Sequence, residues 1–169
     1  MPSIETERLI LRPISEEDAE AMFMFSQNVN VGFNAGWKPH SDIEETHEII
    51  KMIFLDRKDV YGIELKEADM LCGSIGLVPD AKRQNDQTRM LGYALGENYW
   101  NKGYMTEAAQ ALIRFGFDSL HLDLISAYCY PFNTRSKRVL EKCGFKYEGR
   151  LRFAEKHYGG EYLTMNVFQ

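Results

Sequence analysis

Seven consecutive residues near the middle of the chain have the types and the spacing of an anion-binding loop. They follow a predicted strand, precede a predicted helix, and read Trp100-Asn101-Lys102-Gly103-Tyr104-Met105-Thr106. Such a loop points its N–H groups and the positive end of the helix dipole at one place. Gly103 allows close approach of the backbone, Lys102 supplies a positive charge, and Thr106 supplies a hydroxyl. The spacing predicts a site for a phosphorylated cofactor, although a strand–turn–helix connection with an incidental glycine gives the same short pattern.

Other kinds of chemistry have weaker support in the sequence. Neither of the common nucleotide-binding loops, G-x-x-x-x-G-K-[ST] and G-x-G-x-x-G, occurs. Ser136 could be combined with His157 and an acid as a hydrolase triad, but no G-x-S-x-G elbow is present. Cys129 lies inside a predicted buried strand, where thiols are usually inert. The four histidines show no metal-binding spacing, so no metal site is expected.

Length and composition indicate one domain that spans residues 1–169. Hydrophobic residues make up 44% of the chain and charged residues 27%, which are ordinary values for a globular protein. We find neither an apolar run long enough to span a membrane nor a signal segment. The three cysteines have no C-x-x-C spacing and indicate reduced thiols. We therefore expect a cytoplasmic protein without a membrane partner, either a monomer or a homodimer.

Charge is distributed unevenly along the chain. Ten acidic and three basic residues give residues 1–50 a net charge of −7, whereas seven acidic and ten basic residues give residues 101–169 a net charge of +3. The basic part suits an anionic cofactor, and the acidic part suits a cationic acceptor that enters near Glu44, Glu45 and Glu48. Solvated protein faces would give the same balance. The overall net charge of −5 disfavours nucleic-acid binding.

Hydrophobic periodicity, turn residues and helix caps predict the element order βααβββαβαββ. Strands are expected at 6–13, 61–65, 71–79, 90–95, 124–130, 147–152 and 162–167. Ser15 and Ser41 are predicted to cap the first two helices, and residues 28–40 are predicted to form an irregular loop. A long helix is expected from about Glu107, and a short one over 134–142 that ends at a left-handed Gly144. If the long helix is a crossover, the strands on either side of it are parallel, which predicts a mixed α/β sheet.

Four segments resemble the GNAT acetyltransferases, in particular the ribosomal-protein-alanine N-acetyltransferase (Rim-type) branch. The loop is similar to Y-W-G-K-G-Y-A-T-E-A, from which Asn101 and Met105 depart. The opening T-E-R-L-I-L-R-P is very like that of the branch. Residues 131–145 resemble P-x-N-x-x-S-x-x-[VL]-x-E-K-x-G-F, and residues 147–155 resemble E-G-x-[LM]-[RK]-x-A-E. The resemblance therefore covers nearly the whole chain.

The resemblance implies an α/β fold, termed α+β in some schemes, with a mixed and mostly antiparallel sheet, two splayed parallel strands and helices on both faces. It implies that the pantetheine arm of acetyl-CoA lies between those strands, which are expected to part after Leu95 and Leu124. Backbone amides at the end of the first strand are expected to polarise the thioester carbonyl. The basic residues of the short helix would meet the 3′-phosphate, unless they form a solvated face. The implied cofactor-binding residues are Leu95, Gly96, Trp100, Asn101, Lys102, Gly103, Tyr104, Met105, Thr106, Asn133, Arg138 and Lys142.

The implied reaction is direct attack of a primary amine on the thioester of acetyl-CoA in a ternary complex. The thioester is already activated, so the enzyme mainly orients the amine and manages two protons. By the resemblance, Glu155 is the candidate base and Ser136 the candidate proton donor to the leaving thiolate. The alternatives are a surface glutamate and a serine bonded to local backbone. An α-amine, with a pKa of about 7.7–8.0, needs less help from a base than lysine at about 10.4.

The acceptor is left open by the sequence. Trp37, in the predicted loop between the first two helices, and Glu155 are the candidate substrate-binding residues. A protein N-terminal α-amine is the first expectation, and a small amine such as a polyamine, an amino acid or an aminoglycoside is the alternative. A non-catalytic module that binds acyl-CoA as a sensor is the rival of another class. The presence of both Ser136 and Glu155 favours an enzyme.

Overall fold

The computed structural model describes residues 2–169, which form one eight-stranded sheet with helices packed on both faces. The strands are β1 Ile4–Glu5, β2 Leu9–Arg12, β3 Val60–Leu65, β4 Met70–Pro79, β5 Thr88–Leu95, β6 Leu124–Cys129, β7 Tyr147–Lys156 and β8 Tyr162–Phe168. Their order across the sheet is β1-β2-β3-β4-β5-β6-β8-β7. All neighbouring pairs are antiparallel except β5 and β6, which are parallel. The mixed, mostly antiparallel sheet expected from the sequence is confirmed.

Five helices cover the sheet: α1 Ala19–Ser26, α2 Val29–Ala35, α3 Ile43–Ile49, α4 Tyr104–Asp118 and α5 Thr134–Lys142. Two neighbouring residues of β5 show which helices cover which face of the sheet. Ala94 packs in one hydrophobic cluster with residues of α1 and α2, whereas Leu95 packs in another with residues of α4 and α5. Successive residues of a strand point to opposite faces of a sheet. The N-terminal helices therefore cover one face, and α4 and α5 cover the other.

The parallel strands β5 and β6 are joined only over their first halves. Their register runs from Thr88 opposite Leu124 to Leu91 opposite Ala127. Beyond this point β6 pairs with β8 as far as Cys129, while β5 continues to Leu95 alongside β4. The strands thus part after Leu91 and Ala127, and the expected divergence after Leu95 and Leu124 was wrong. Because they part early, one edge of β5 has no strand partner over its last four residues.

Helix α2 replaces the irregular loop predicted for residues 28–40. Asn28 caps it by accepting a hydrogen bond from the N–H of Asn30 at 2.8 Å, and Gly36 ends it with a φ of 89°. Both are ordinary start and stop signals for a helix. Gly32 is needed in its middle because a Cβ there would lie 2.8 Å from the carbonyl oxygen of Trp37. Contacts with the following loop therefore favour a helix that the local sequence does not predict.

Two other helix starts differ from the sequence prediction. Helix α4 begins at Tyr104 rather than near Glu107, because Gly103 serves as its N-terminal cap with a φ of 83°. Helix α3 is capped by Asp42, which accepts from the N–H of Glu45 at 2.8 Å, and not by Ser41. No helix within residues 2–169 is both long and apolar enough to cross a membrane.

Helix α5 has the predicted bounds and the predicted end. Gly144 has a φ of 89°, and the N–H of Phe145 donates to the carbonyl oxygen of Leu140 at 3.0 Å. Phe145 also packs against the core, so the chain folds back on the helix as expected. This end fixes α5 beside the gap between β5 and β6.

Candidate active site

Two cavities meet in the gap between β5 and β6. The first cavity has a volume of about 240 Å³ and is lined by the 99–106 loop and by α5. The second cavity has a volume of about 230 Å³ and is lined mainly by β5, β6 and parts of β7 and β8. Five residues line both cavities and define the junction between them: Asn34, Ala35, Tyr93, Asn133 and Ser136. The gap between the parted strands thus connects two separate binding spaces.

Most of the predicted cofactor-binding residues line the first cavity. They are Leu95, Trp100, Asn101, Gly103, Tyr104, Met105, Thr106, Asn133, Arg138 and Lys142. Gly96 and Lys102 do not line it. The ammonium of Lys102 instead lies 5.8 Å from the centre of the Tyr99 ring. The loop and α5 therefore both line the first cavity, while Lys102 lies beside Tyr99, a residue of the same wall.

Asn101 and Met105, which depart from the loop sequence of the Rim-type branch, both fit the backbone of this loop. Asn101 has a φ of 63°, a conformation that asparagine tolerates better than most residues. Met105 is only 6% exposed and packs in the core on the α4 side of the sheet. Gly103 then starts α4, and the N–H groups of the first turn of a helix have no partners within that helix. These N–H groups are available to an anion in the first cavity.

Arg8, which lies between β1 and β2, is hydrogen-bonded to the 99–106 loop and to α4, and we call these bonds the Arg8 clasp. Its Nη1 donates to the carbonyl oxygen of Lys102 at 3.0 Å, and its Nε donates to the Glu107 carboxylate at 2.7 Å. The Thr6 hydroxyl donates to the same carboxylate at 2.6 Å. Burial alone would raise the pKa of Glu107, but the bonds from Thr6 and Arg8 outweigh it and lower that pKa. Sequence reasoning missed this contact, although Arg8 and Glu107 both lie in the motifs of the resemblance.

The unpaired edge of β5 offers two residues to the gap. The N–H of Gly96 already donates to the carbonyl oxygen of Cys72 on β4 at 2.9 Å. Alternate residues of an antiparallel strand direct their N–H and C=O groups to opposite sides, so those of Tyr93 and Leu95 face the gap. The Leu95 carbonyl accepts from the Trp100 indole at 2.8 Å, which leaves its N–H free. Gly96 is therefore not the amide donor that the sequence predicted.

Ser136 and Tyr93 form a hydroxyl pair at the junction. The Tyr93 oxygen lies 2.8 Å from Ser136 Oγ. The N–H of Ser136 donates to Asn133 Oδ1 at 3.0 Å, and Asn133 Nδ2 donates to the Asn34 carbonyl at 3.2 Å. Burial raises the pKa of Tyr93 far above its usual value, and the bond with Ser136 offsets only part of this effect. The phenol therefore keeps its proton at neutral pH and can donate a hydrogen bond to Ser136.

Glu155 is the carboxylate that lines the second cavity. It is exposed, whereas Trp37 lines neither cavity and packs against the core of the N-terminal helices. Trp37 is half-buried against that core, and its role in acceptor binding stays a prediction. Asn34 and Ala35, from the end of α2, reach the junction. The acids Glu44, Glu45 and Glu48 lie in α3 and line neither cavity.

The structure does not assemble the rival catalytic groups. His157 is buried, and its Nε2 lies 3.3 Å from the Phe33 carbonyl, while the Ser136 hydroxyl is paired with Tyr93. Cys129 is 4% exposed, and burial raises its pKa to about 11, so its thiol is protonated at neutral pH. Within residues 2–169 we find no group of three side chains placed to hold a metal ion.

The architecture and the loop agree with one family of enzymes. Residues 8–146 match the family model described as acetyltransferase (GNAT) domain. The chain belongs to the GNAT acetyltransferase family. It is 34% identical over 163 residues to an uncharacterized N-acetyltransferase p20 from Bacillus licheniformis, covering 94% of this chain and 90% of the relative. It is 26% identical to the ribosomal protein uS5-alanine N-acetyltransferase of Escherichia coli, covering 96% of this chain and 84% of that enzyme.

Solved structures show the same fold. A GNAT-family acetyltransferase from Bacillus anthracis superposes with a TM-score of 0.87 at 28% identity, covering 99% of this chain and 96% of that one. The microcin C7 self-immunity acetyltransferase MccE, solved with acetyl-CoA and AMP, has a TM-score of 0.83 at 24% identity over 96% of this chain and 92% of its own. This GNAT protein is thus an N-acetyltransferase that uses acetyl-CoA as its acetyl donor.

Proposed function

We propose that this enzyme transfers the acetyl group of acetyl-CoA directly to a primary α-amine, with both substrates bound at once. The observation that supports this most is the junction, where five residues line both cavities. Acetyl-CoA in the first cavity would place its thioester at the junction, and the amine would reach that thioester from the second cavity. Direct attack needs reacting atoms about 3–3.5 Å apart, which such a shared wall allows.

The first cavity fits acetyl-CoA part by part. The free N–H groups at the start of α4 suit the pyrophosphate, with Gly103 allowing its close approach. The gap-facing backbone of Tyr93 and Leu95 suits the pantetheine arm, which would pair with β5 as a strand does. Arg138 and Lys142 line the same cavity and suit the 3′-phosphate. Both hydrogen bonds of the Asn133 side chain go to the protein, so Asn133 shapes the junction by joining α5 to α2.

Two proton-transfer roles follow from the junction geometry. Ser136 donates a proton to the leaving thiolate of CoA and regains one from solvent, while the Tyr93 hydroxyl, 2.8 Å away, orients it by a hydrogen bond. Glu155 accepts the proton of the attacking ammonium, either directly or through one water. Glu155 is exposed, so its carboxyl group is hydrated. Such a base suits an α-amine with a pKa of about 7.7–8.0 better than a lysine side chain at about 10.4.

The second cavity would hold the reacting end of the acceptor. Its volume of about 230 Å³ is similar to the 240 Å³ of the first cavity, so it encloses the part of the acceptor next to the amine and sets no limit on the rest. A small α-amine or the first residue of a protein chain fits this space. A named relative acts on a ribosomal-protein alanine, which supports the α-amine class, while a structural neighbour from Vibrio cholerae is a spermidine N-acetyltransferase solved with spermine. A polyamine or an aminoglycoside is therefore the second candidate.

Thiol release from acetyl-CoA with matched amines tests the acceptor class. We expect α-amines of amino acids and short peptides to react with a higher kcat/KM than the ε-amine of N-α-acetyl-lysine, because less of the α-amine is protonated. Polyamines serve as the third group. If ε-amines or polyamines exceed every α-amine, the α-amine assignment is wrong. If acetyl-CoA binds in calorimetry but no amine of the three groups releases thiol, direct transfer to these amines is refuted.

Removal of the Arg8 clasp should weaken cofactor binding more than turnover. Arg8→Met removes the side-chain bonds to the Lys102 carbonyl and to the Glu107 carboxylate, which keeps its bond from the Thr6 hydroxyl, so the loop can shift away from its anion-binding geometry. Because Arg8 is exposed, we expect its bonds to contribute about 0.5–1.5 kcal/mol together and the Kd for CoA to rise about two- to tenfold. Arg57→Met is the matched control, because Arg57 pairs with Asp59 outside both cavities. An unchanged Kd in Arg8→Met would show that the loop keeps its shape without the clasp.

A further inference from the structure

The second cavity is lined by two charged side chains of opposite sign, Lys82 and Glu155. The proposed proton transfer uses Glu155 and leaves Lys82 without a role. Within residues 2–169, no carboxylate lies within ion-pair distance of the Lys82 ammonium. The cavity therefore contains a positive charge that the protein itself does not neutralise.

A buried carboxylate holds Lys82 in place. Asp80 is 6% exposed and accepts hydrogen bonds from the backbone N–H of Lys82 at 2.9 Å, from the Tyr128 hydroxyl at 2.8 Å and from the Ser126 hydroxyl. The Lys82 ammonium lies 4.5 Å from the centre of the Tyr128 ring. Asp80 thus fixes both the backbone of the lysine and the ring on which its ammonium rests. The Arg83 guanidinium, 3.4 Å away, balances the charge of Asp80.

Lys82 is exposed, but the groups that position it are held by the buried Asp80. Burial alone would raise the pKa of Asp80, but the bonds from Ser126, Lys82 and Tyr128 outweigh it and lower that pKa. Asp80 is therefore ionised and able to hold all three donors. Tyr128 lines the second cavity together with Lys82, so the ring and the ammonium form one wall of it. None of these groups is hydrogen-bonded to the Ser136–Tyr93 pair.

We propose that Lys82 binds an anionic group of the acceptor, and that the acceptor is a small zwitterion, namely a free α-amino acid. This inference rests on the proposed transfer to an α-amine. The ammonium of such a molecule is attracted to Glu155, and its carboxylate is attracted to Lys82. A polyamine would place a second positive group in a cavity that already contains Lys82, and like charges disfavour such a complex. A protein N-terminus would present a neutral peptide group there and gain nothing from Lys82.

Amino acids and their carboxamides test the proposal in matched pairs. Each pair differs only in the group that would meet Lys82, and rates are compared per unprotonated amine because the two amines differ in pKa. We expect kcat/KM to be at least about tenfold higher for the best amino acid than for its amide. In Lys82→Met this preference should fall to less than about threefold, with the amide itself little affected. Lys82→Glu should reverse the preference in favour of diamines.

Lys58→Met is the control variant, because Lys58 is exposed and lines neither cavity. It should keep the wild-type preference, and the Kd for CoA should be unchanged in all three variants, which shows that they are folded. Amides, peptides or polyamines that match the amino acids in the wild type would overturn the zwitterion while leaving direct transfer intact. Equal effects of Lys82→Met on an amino acid and its amide would overturn it as well.

A binding measurement separates failure of this inference from failure of the transfer proposal. Free α-amino acids are titrated one by one into the CoA complex of the wild type and of Lys82→Met. Binding that is lost in the variant, without thiol release in the wild type, would support the role of Lys82 and refute transfer to that amine. Thiol release from α-amines that is insensitive to Lys82→Met would support the transfer and refute the role of Lys82.

Discussion

Gly103→Val is expected to weaken acetyl-CoA binding by about 10- to 100-fold. Gly103 has a φ of 83°, in the left-handed region, and it starts α4 at the loop. A β-branched residue there is strained by about 1–3 kcal/mol, and each 1.4 kcal/mol corresponds to a tenfold change in affinity. The strain is relieved only if the loop changes shape, which moves its N–H groups away from the pyrophosphate. Calorimetry with CoA measures the loss.

A second glycine with the same backbone geometry provides the control for this prediction. Gly160 has a φ of 97° in the turn between β7 and β8, and it lines neither cavity. Gly160→Val should lower the melting temperature to a similar extent but leave the Kd for CoA unchanged. A Cβ on Gly103 would lie 3.4 Å from Arg8 Nη2, on the side of the clasp. The expected loss thus comes from backbone strain, and a folded Gly103→Val protein with wild-type affinity would refute the loop assignment.

Features encoded by neighbouring residues could be predicted from the sequence. Helix α5 has its expected bounds because Asn133 caps its start and Gly144 ends it within a few residues. The strands show their alternation or their continuous apolar runs, and the crossover helix α4 implies a parallel pair. Helix α2 was missed because Gly32 and its β-branched neighbours have low helix propensity, although Asn28 and Gly36 mark its two ends.

Contacts between distant residues could not be read from the sequence. Tyr93 and Ser136 are 43 residues apart, and Arg8 and Glu107 are 99 apart. Each pair depends on how strands are ordered in the sheet, which local periodicity does not determine. The place of Lys82 could not be predicted either, since nothing in the local sequence shows that Asp80 is buried and bonds to it. The loop itself was found because its residues are consecutive.

The directions of two predicted site residues, Gly96 and Trp37, have the same physical origin. Gly96 was expected to donate to the thioester, but pairing with β4 continues past the end of β5 and uses its N–H for Cys72. Trp37 was expected at the acceptor, and it lies half-buried against the core of the N-terminal helices. In both cases the residue lies close to the site in sequence, and its direction is set by pairing or packing elsewhere. The alternation of residues along β5 decides that the N–H of Leu95, and not that of Gly96, faces the gap. The formation of α2 decides that Asn34 and Ala35 line the cavities.

Ser136→Ala should lower kcat by about 100-fold while leaving the Kd for acetyl-CoA within about twofold. Such a loss corresponds to about 2.7 kcal/mol of transition-state stabilisation, because the leaving thiolate is then no longer protonated by the enzyme. Tyr93→Phe removes the hydroxyl 2.8 Å behind Ser136 and should give a smaller loss. The double variant should be no slower than Ser136→Ala alone, since Tyr93 acts through Ser136. Losses that multiply would show that Tyr93 acts on the substrate independently.

Glu155→Gln tests the other proposed proton transfer, from the attacking ammonium to Glu155. Glutamine cannot accept the proton of the ammonium, so the rise of kcat/KM as the pH increases from the acidic side should become flatter. Glu161→Gln is the control, because Glu161 is exposed in the adjacent turn and lines neither cavity. Ser136 acts on the thiolate and should change the rate without changing this pH profile. If Ser136→Ala and Glu155→Gln both keep nearly the full rate, solvent or another group moves the protons, and the roles given to the two residues are wrong.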